Sequence, residues 1–429
     1  MELEKFEIEG CRPLRGNIAV EGAKNSVLPI MAATILSRED RGIWLEQVPE
    51  IKDVEIMSGI LQEAGVSIHR KGKKLWINPG KVDRSYVENH LTDKMRSSIF
   101  LMGPLLGRLG KAVLGYPGGC TIGNRPIDLH LNGLAKMGIS IRRKEHYVEA
   151  TGYPRGAEIY LDYPSVGATE NLIMAGVLAR GKTVISNAAR EPEIVDLQNF
   201  LNKMGAQVFG AGTDTVRITG VEGLNAGVYQ VIPDRIVAGT YLLAAAITGG
   251  EMVVEKVIPS HLEALIAKLA EAGLEVEKGE EWIGVRGRPL NSLNLRTLPY
   301  PGFPTDLQPP MMSLLTQAHG SSSIQENVFE NRFSYLNQLN RLGANIYFQG
   351  NKAAVKGKTP LTGAEVEAMD LRGAAALVIA GLAAEGKTII NNISHLDRGY
   401  ERLEQQLNPL NAKILRRSES YEKSIPQQL

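Results

Sequence analysis

Cysteine is almost missing from this 429-residue chain, which has only Cys11 and Cys120. Two isolated thiols build no disulfide framework, so a reducing, cytoplasmic setting is expected. Charge of one sign is missing too: 48 lysines and arginines face 47 aspartates and glutamates. That balance removes the electrostatic case for a nucleic-acid or acidic-membrane partner, so any anion must be caught by a local cluster. No apolar run reaches membrane-spanning length, and the opening "MELEKFEIEG" has no signal-peptide core. The tail "RRSESYEKSIPQQL" is polar and expected to fray. A P-loop, a post-strand GxGxxG, an HExxH and a CxxC pair are all missing, and the seven histidines lack metal-ligand spacing. The histidines are accordingly not read as metal ligands, and His130 and His395 are read as orienting loops.

Glycine is plentiful, with 45 residues, and it is periodic. "AGVSI", "MGISI", "MGAQV", "AGLEV", "LGANI" and "LNAKI" each close an amphipathic stretch and open an alternating one. Their second residues are Gly65, Gly138, Gly205, Gly273, Gly343 and Asn411, spaced by 67 to 73 residues. Glycine, then asparagine, best tolerates the left-handed residue on which a helix stops. A second series, Gly42, Gly110, Gly181, Gly250, Gly320 and Gly386, follows small-residue apolar stretches and precedes β-rich runs at spacings of 66 to 71. Each module thus reads helix, Gly, strand, loop, amphipathic helix, Gly, strand. The first helix of each is apolar nearly all round and should be buried. The stripe Leu197, Phe200, Leu201 and Met204 is core. Six α/β modules divide into two domains of three.

Polar residues cluster at two places on the repeat. Before each buried helix lie "GAKNS", "KMRSS", "SVGATEN", "PDRIVAGT", "FPTDLQ" and "MDLRGA". A helix start offers unpaired N–H groups and positive dipole, a ready anion site. Lys24, Arg96, Arg235 and Arg372 stand there although the dipole opposes them, which points to an anion to hold. Ser165 alone is read as an ordinary cap. The loops after each first strand, "PGGCTIGNRPID", "AAREPEIVD", "NVFENRF" and "SHLDRGYE", supply Cys120, Arg125, Glu191, Glu330, Arg332, Asp397 and Arg398. Arginines with a few carboxylates in a neutral protein fit a substrate carrying phosphates and a carboxylate. A Gly-Gly-Cys turn with cations nearby favours a reactive thiol over a buried one.

The segments "GAKNSVLPIMAA", "KMRSSIFLMGPLLGRLG", "PGGCTIGNRPIDLHL", "SVGATENLIMA", "AAREPEIVDL", "YPGFPTDLQ", "VFENRF", "DLRGAAALVIAG" and "DRGYERL" closely resemble the UDP-N-acetylglucosamine 1-carboxyvinyltransferases, in order from about residue 5 to 416. The resemblance implies an α/β fold of two inverted, inside-out barrel-like domains. Each holds three repeated modules, with the active site in the interdomain cleft. Residues 22–232 would form the UDP-sugar side with the Cys120 lid loop. Residues 1–21 and 233–429 would form the second domain, with Asp306, Arg372 and Arg398. The implied partners are UDP-N-acetylglucosamine and phosphoenolpyruvate, acted on without a metal or organic cofactor by a cytoplasmic monomer at the head of peptidoglycan synthesis. Cys120 matches the proton donor that fosfomycin attacks in that family, and Asp306 the general base. Lys24, Arg125 and Arg398 match the phosphoenolpyruvate clamps, with Arg372 beside them. Asn25, Arg96, Arg125, Pro126, Ile127, Asp128, Leu129, Ser165, Val166, Gly167 and Val328 match nucleotide-sugar contacts.

Two positions depart from the family pattern. Tyr163 stands where a diphosphate-reaching lysine is usual, and Val237 replaces a glutamate near Arg235. Competing readings are a transferase of the 5-enolpyruvylshikimate-3-phosphate type, which lacks the "PGGC" thiol, and a silent UDP-sugar-binding paralogue. An RNA 3′-phosphate cyclase of related modules is disfavoured by the near-zero charge.

Overall fold

A computed structural model describes residues 3–118, 122, 123 and 126–419. Its strands form six four-stranded sheets. Every sheet has the same pattern: a short strand runs parallel to the first strand of a module, and two antiparallel neighbours follow. In the third module, for example, Glu158–Tyr160 pairs in parallel with Lys182–Ser186. That strand is antiparallel to Thr215–Thr219, which pairs in turn with Gln207–Phe209. The expected inside-out α/β modules are therefore present. The short leading strands, two to five residues long, are an addition too brief for alternation to announce.

The amphipathic helices stop where the repeat places their stops. Gly65, Gly138, Gly205, Gly273 and Gly343 have φ between +84° and +104°, and Asn411 takes the same role at +78°. In the fourth module the left-handed residue of the second series is Gly249, at φ +65°, rather than Gly250. Gly250 is needed for a different reason: a Cβ there would stand 2.0 Å from the Leu14 carbonyl oxygen.

The chain divides into two compact units. One comprises Val20–Arg235 with Leu298–Pro304, and the other Met1–Ala19, Ile236–Thr297 and Thr305–Leu429. In the first, the helices Lys24–Ala33, Met102–Leu109 and Val166–Val177 bury most of their residues. Close approach among them needs small residues: a Cβ on Gly103 would lie 2.4 Å from the Asn171 carbonyl oxygen. Asn171 also accepts from the Gly103 N–H at 2.8 Å and donates to the Ile99 carbonyl at 3.1 Å. Strands cover this centre with alternating faces, as Thr183 and Ile185 are buried on Lys182–Ser186 while Lys182 is exposed. The sheet of the first module closes only when Val228–Gln230, nearly two hundred residues later, pairs with Ile43–Glu46.

In the second unit the buried helices are Arg235–Ile247, from Ile236 onward, Gln308–Leu315 and Leu371–Ala383, the last two joined by Ser313 Oγ donating to the Ala376 carbonyl at 2.7 Å. Two of its sheets are completed from the N-terminus. Leu3–Glu9 lies between Lys387–Asn391 and Ile414–Glu419, and Arg15–Ala19 pairs in parallel with Glu251–Glu255. No helix among the described residues is long and apolar enough to cross a membrane.

Candidate active site

In the 20–235 unit, Lys24 opens its helix and is 8% exposed. Its backbone N–H donates to Asp234 Oδ2 at 3.0 Å, so Asp234 from a distant segment serves as the cap. Its ammonium lies 2.9 Å from Asp53 Oδ2, itself almost wholly buried. Asn25 follows on the same turn, and Ser26 donates a short hydrogen bond to Asp196 Oδ2. Asp196 also accepts from Tyr229 Oη at 2.5 Å and the Ile232 N–H at 3.3 Å. One buried carboxylate thus ties the start of the Lys24 helix to the strand that closes the first sheet.

Arg235 pairs in fork fashion with Glu193, Nε to Oε1 at 3.0 Å and Nη2 to Oε2 at 3.2 Å, and lies over the Tyr300 ring. The ion pair at Arg235 therefore forms with valine at 237, because Glu193 supplies the acid. Arg96 donates to the Pro126 carbonyl at 3.2 Å, and the half-buried Asp128 meets Arg143 at 2.5 Å. Ile127 is buried ahead of the Asp128–Lys136 helix, and Leu129 is half-buried within it. Ser165 accepts from the Ala168 N–H at 3.3 Å, the ordinary cap expected, and Val166 and Gly167 form the first turn behind it. Tyr163 is 42% exposed and its carbonyl accepts from the Ser165 N–H. His130 is buried, its Nδ1 3.1 Å from Asn171 Nδ2. Cys120 and Arg125 lie outside the described residues.

Near Arg235 sits a group of acids of which the sequence singled out only Glu191. Glu170 is 1% exposed, and burial first, then the Glu193 and Glu191 charges, push its carboxyl well above the usual range. Burial raises Glu191 as well. A carboxyl raised on folding contributes stability that is fully present below its unfolded value and is lost as pH rises through the folded one. Wild-type protein is accordingly expected to lose stability from mildly acid toward alkaline pH. Glu170→Gln should flatten that slope, and denaturant titrations at a series of pH values check it. Parallel pH profiles for the two proteins would show that Glu170 does not hold its proton.

In the other unit Asp306 sits in the Thr305–Leu307 turn that leads into the Gln308–Leu315 helix. Arg332 Nη2 reaches Asp306 Oδ1 at 2.6 Å, and Arg372 Nη2 reaches Oδ2 at 3.1 Å. Both guanidinium side chains are at most 3% exposed, whereas the Asp306 side chain is 24% exposed. A carboxylate held through both oxygens by cations from behind keeps its open side toward solvent. Asp370 caps the Leu371–Ala383 helix through the Arg372 and Gly373 N–H groups, both at 3.0 Å. Val328 is half-buried beyond the strand Gly320–Gln325, and Arg398 ends the Ile393–Arg398 turn. Its neighbour Asp397 accepts from Arg416 at 2.7 and 2.9 Å.

The cations at the helix starts also have partners within the chain. Lys24, Arg235 and Arg372 each already face an acid of this chain, and the dipole is answered by Asp234 and Asp370. Bare dipole therefore does not account for them. "MDLRG" carries the capping acid Asp370 two residues before the cation, a signal that was legible, whereas Asp234 of "PDR" caps the distant Lys24 helix. Asp53 and Glu193 had none, since only packing brings them to Lys24 and Arg235, whereas Arg332 was among the loop arginines the sequence singled out.

The fold is that of enolpyruvyl transferases. It superposes on the enolpyruvyl transferase NikO from Streptomyces tendae with TM-score 0.88 at 25% identity, covering 98% of this chain and 100% of that one. It superposes on EPSP synthase from Acinetobacter baumannii with TM-score 0.73 at 20% identity, over 96% and 100%. The family model for EPSP synthase (3-phosphoshikimate 1-carboxyvinyltransferase) matches residues 8–407. UDP-N-acetylglucosamine 1-carboxyvinyltransferase 1 of Carboxydothermus hydrogenoformans is 50% identical over 96% of this chain and 98% of its own. The protein of the same name from Caldanaerobacter subterraneus is 51% identical, over 96% and 99%. This chain belongs to the UDP-N-acetylglucosamine 1-carboxyvinyltransferase family.

Proposed function

We propose that the chain transfers the enolpyruvyl group of phosphoenolpyruvate to the 3-hydroxyl of UDP-N-acetylglucosamine and releases phosphate. The observation that carries this reading is the half identity, over nearly the whole of both chains, to proteins bearing that activity's name. The family model alone leaves the acceptor open, because it is described by the shikimate reaction.

The chemistry assigns each group a task. The sugar hydroxyl oxygen forms a bond to carbon 2 of phosphoenolpyruvate while its proton leaves to a base and carbon 3 gains a proton. The resulting ketal then loses a proton from carbon 3 and breaks its bond to the phosphate oxygen. Asp306 is the base for the hydroxyl: two buried arginines favour its ionised form, and one edge remains accessible. Cys120 delivers the proton to carbon 3. Lys24, Arg125, Arg372 and Arg398 hold the phosphate and carboxylate, and Arg332 joins them because it shares Asp306 with Arg372. Asn25, Arg96, Pro126, Ile127, Asp128, Leu129, Ser165, Val166, Gly167 and Val328 contact the nucleotide sugar. The reaction proceeds in the cytoplasm in a monomer.

Phosphate release from phosphoenolpyruvate, with and without the sugar nucleotide, tests the reading. Release is expected to require UDP-N-acetylglucosamine and to fall at least 10²-fold in Cys120→Ser, an effect on the order of that of a general acid. Folded protein that binds the sugar nucleotide yet releases nothing would instead identify a silent paralogue.

A further inference from the structure

We propose that Glu326 is a positioning residue for the transfer reaction, bracing the Asp306 turn and the Val328 turn with a single buried carboxylate. The inference rests on the reading of Asp306 as the base. Glu326 follows the strand Gly320–Gln325 and is 2% exposed. Its Oε1 accepts from Thr297 Oγ1 at 2.8 Å, Thr305 Oγ1 at 3.1 Å, the Val328 N–H at 2.9 Å and the Phe329 N–H at 3.2 Å. Its Oε2 accepts from Thr305 Oγ1 at 3.0 Å. These four donors are two hydroxyls and two backbone N–H groups, on three separate pieces of chain.

The direction of these bonds is settled by the neighbours. Thr297 Oγ1 already accepts from the Asn327 N–H at 2.9 Å, so its proton is directed to Glu326. The Val328 and Phe329 N–H groups and the Thr297 hydroxyl are fixed donors, so Oε1 serves as their common acceptor. An apolar residue at 326 would take this acceptor away from two hydroxyls and two N–H groups.

Thr305 is the link to the chemistry. Its hydroxyl is held by Glu326 on one side, while its carbonyl accepts from Arg332 Nε at 3.3 Å and Nη2 at 3.0 Å. The same Nη2 grips Asp306 Oδ1 at 2.6 Å. Glu326 therefore sets the height of residue 305, and residue 305 sets how Arg332 meets the next residue, Asp306. A second arm runs from Glu326 to the Val328 backbone and so to the nucleotide sugar. The two arms make separable predictions. Loss of the Thr305 hydroxyl should disturb the base alone, whereas loss of the carboxylate should disturb both turns.

The experiment compares kcat and KM for UDP-N-acetylglucosamine in wild type, Thr305→Val, Thr305→Ser, Glu326→Ala and Glu326→Gln, with thermal unfolding of each. Thr305→Val is expected to lower kcat at least tenfold with KM within about threefold, since a misplacement near 1 Å costs up to 10²-fold. Thr305→Ser restores it. Glu326→Ala lowers kcat and raises KM together, and Glu326→Gln, which keeps an acceptor at the Oε1 position, recovers most of both. Should Glu326→Ala fail to fold, the Thr305 pair decides alone. Well-folded Thr305→Val turning over within about twofold of wild type would overturn the proposal, as would a loss that Thr305→Ser does not recover. A wild-type protein without turnover would sink the reading of Asp306 instead.

Discussion

Asp306→Asn is expected to reduce turnover by about 10²–10⁴-fold, the range a positioned general base supplies. The substitution preserves shape, and the side chain is partly exposed, so folding should survive. What disappears is the negative charge that Arg332 and Arg372 approach at 2.6 and 3.1 Å. An amide takes up no proton at neutral pH, and it offers two guanidinium groups only one oxygen. Steady-state phosphate release together with calorimetric titration of UDP-N-acetylglucosamine checks this. Binding should persist while kcat collapses. Turnover within tenfold of wild type would remove Asp306 from the role of base.

Arg235→Met is expected to be the most damaging single change to stability in the 20–235 unit, at about 3–5 kcal/mol. The magnitude follows from what remains behind. Glu193 is 3% exposed and loses both members of a fork-like pair, Nε at 3.0 Å and Nη2 at 3.2 Å. Glu191 and Glu170 stand close enough to shift with its charge, so removal of this cation leaves the Glu193 charge uncompensated beside two further carboxyl groups in a dry setting. Arg235→Met combined with Glu193→Leu should recover most of the loss, because replacing a buried pair whole is far milder than breaking it. Denaturant midpoints of the single and double variants measure both effects. A single variant within 1 kcal/mol of wild type would show that Glu193 escapes its isolation by taking up a proton at little cost.

The sequence by itself determined the modular plan. Six left-handed stops, recurring stripes such as Leu197, Phe200, Leu201 and Met204, and helices apolar all round are short-range signals, since each depends on spacings within one turn or one strand. Motif resemblance likewise pointed to Lys24, Asp306, Arg372 and Arg398 before any contact was visible. Tertiary structure decided which acid answers which cation. Lys24 meets Asp53 and takes its cap from Asp234, 210 residues away; Arg235 meets Glu193 across 42; and Asp306 draws Arg332 and Arg372 from 26 and 66 residues downstream. It also decided that Leu3–Glu9 and Arg15–Ala19 complete sheets of the C-terminal modules, and that Leu298–Pro304 packs with the 20–235 unit. Spacing carries no record of these choices. A charge buried far along the chain is matched only when packing excludes water and leaves one partner within reach. Glu326 shows the difference most plainly: in the sequence it is one acid after a strand, and in the fold it holds two turns of the site.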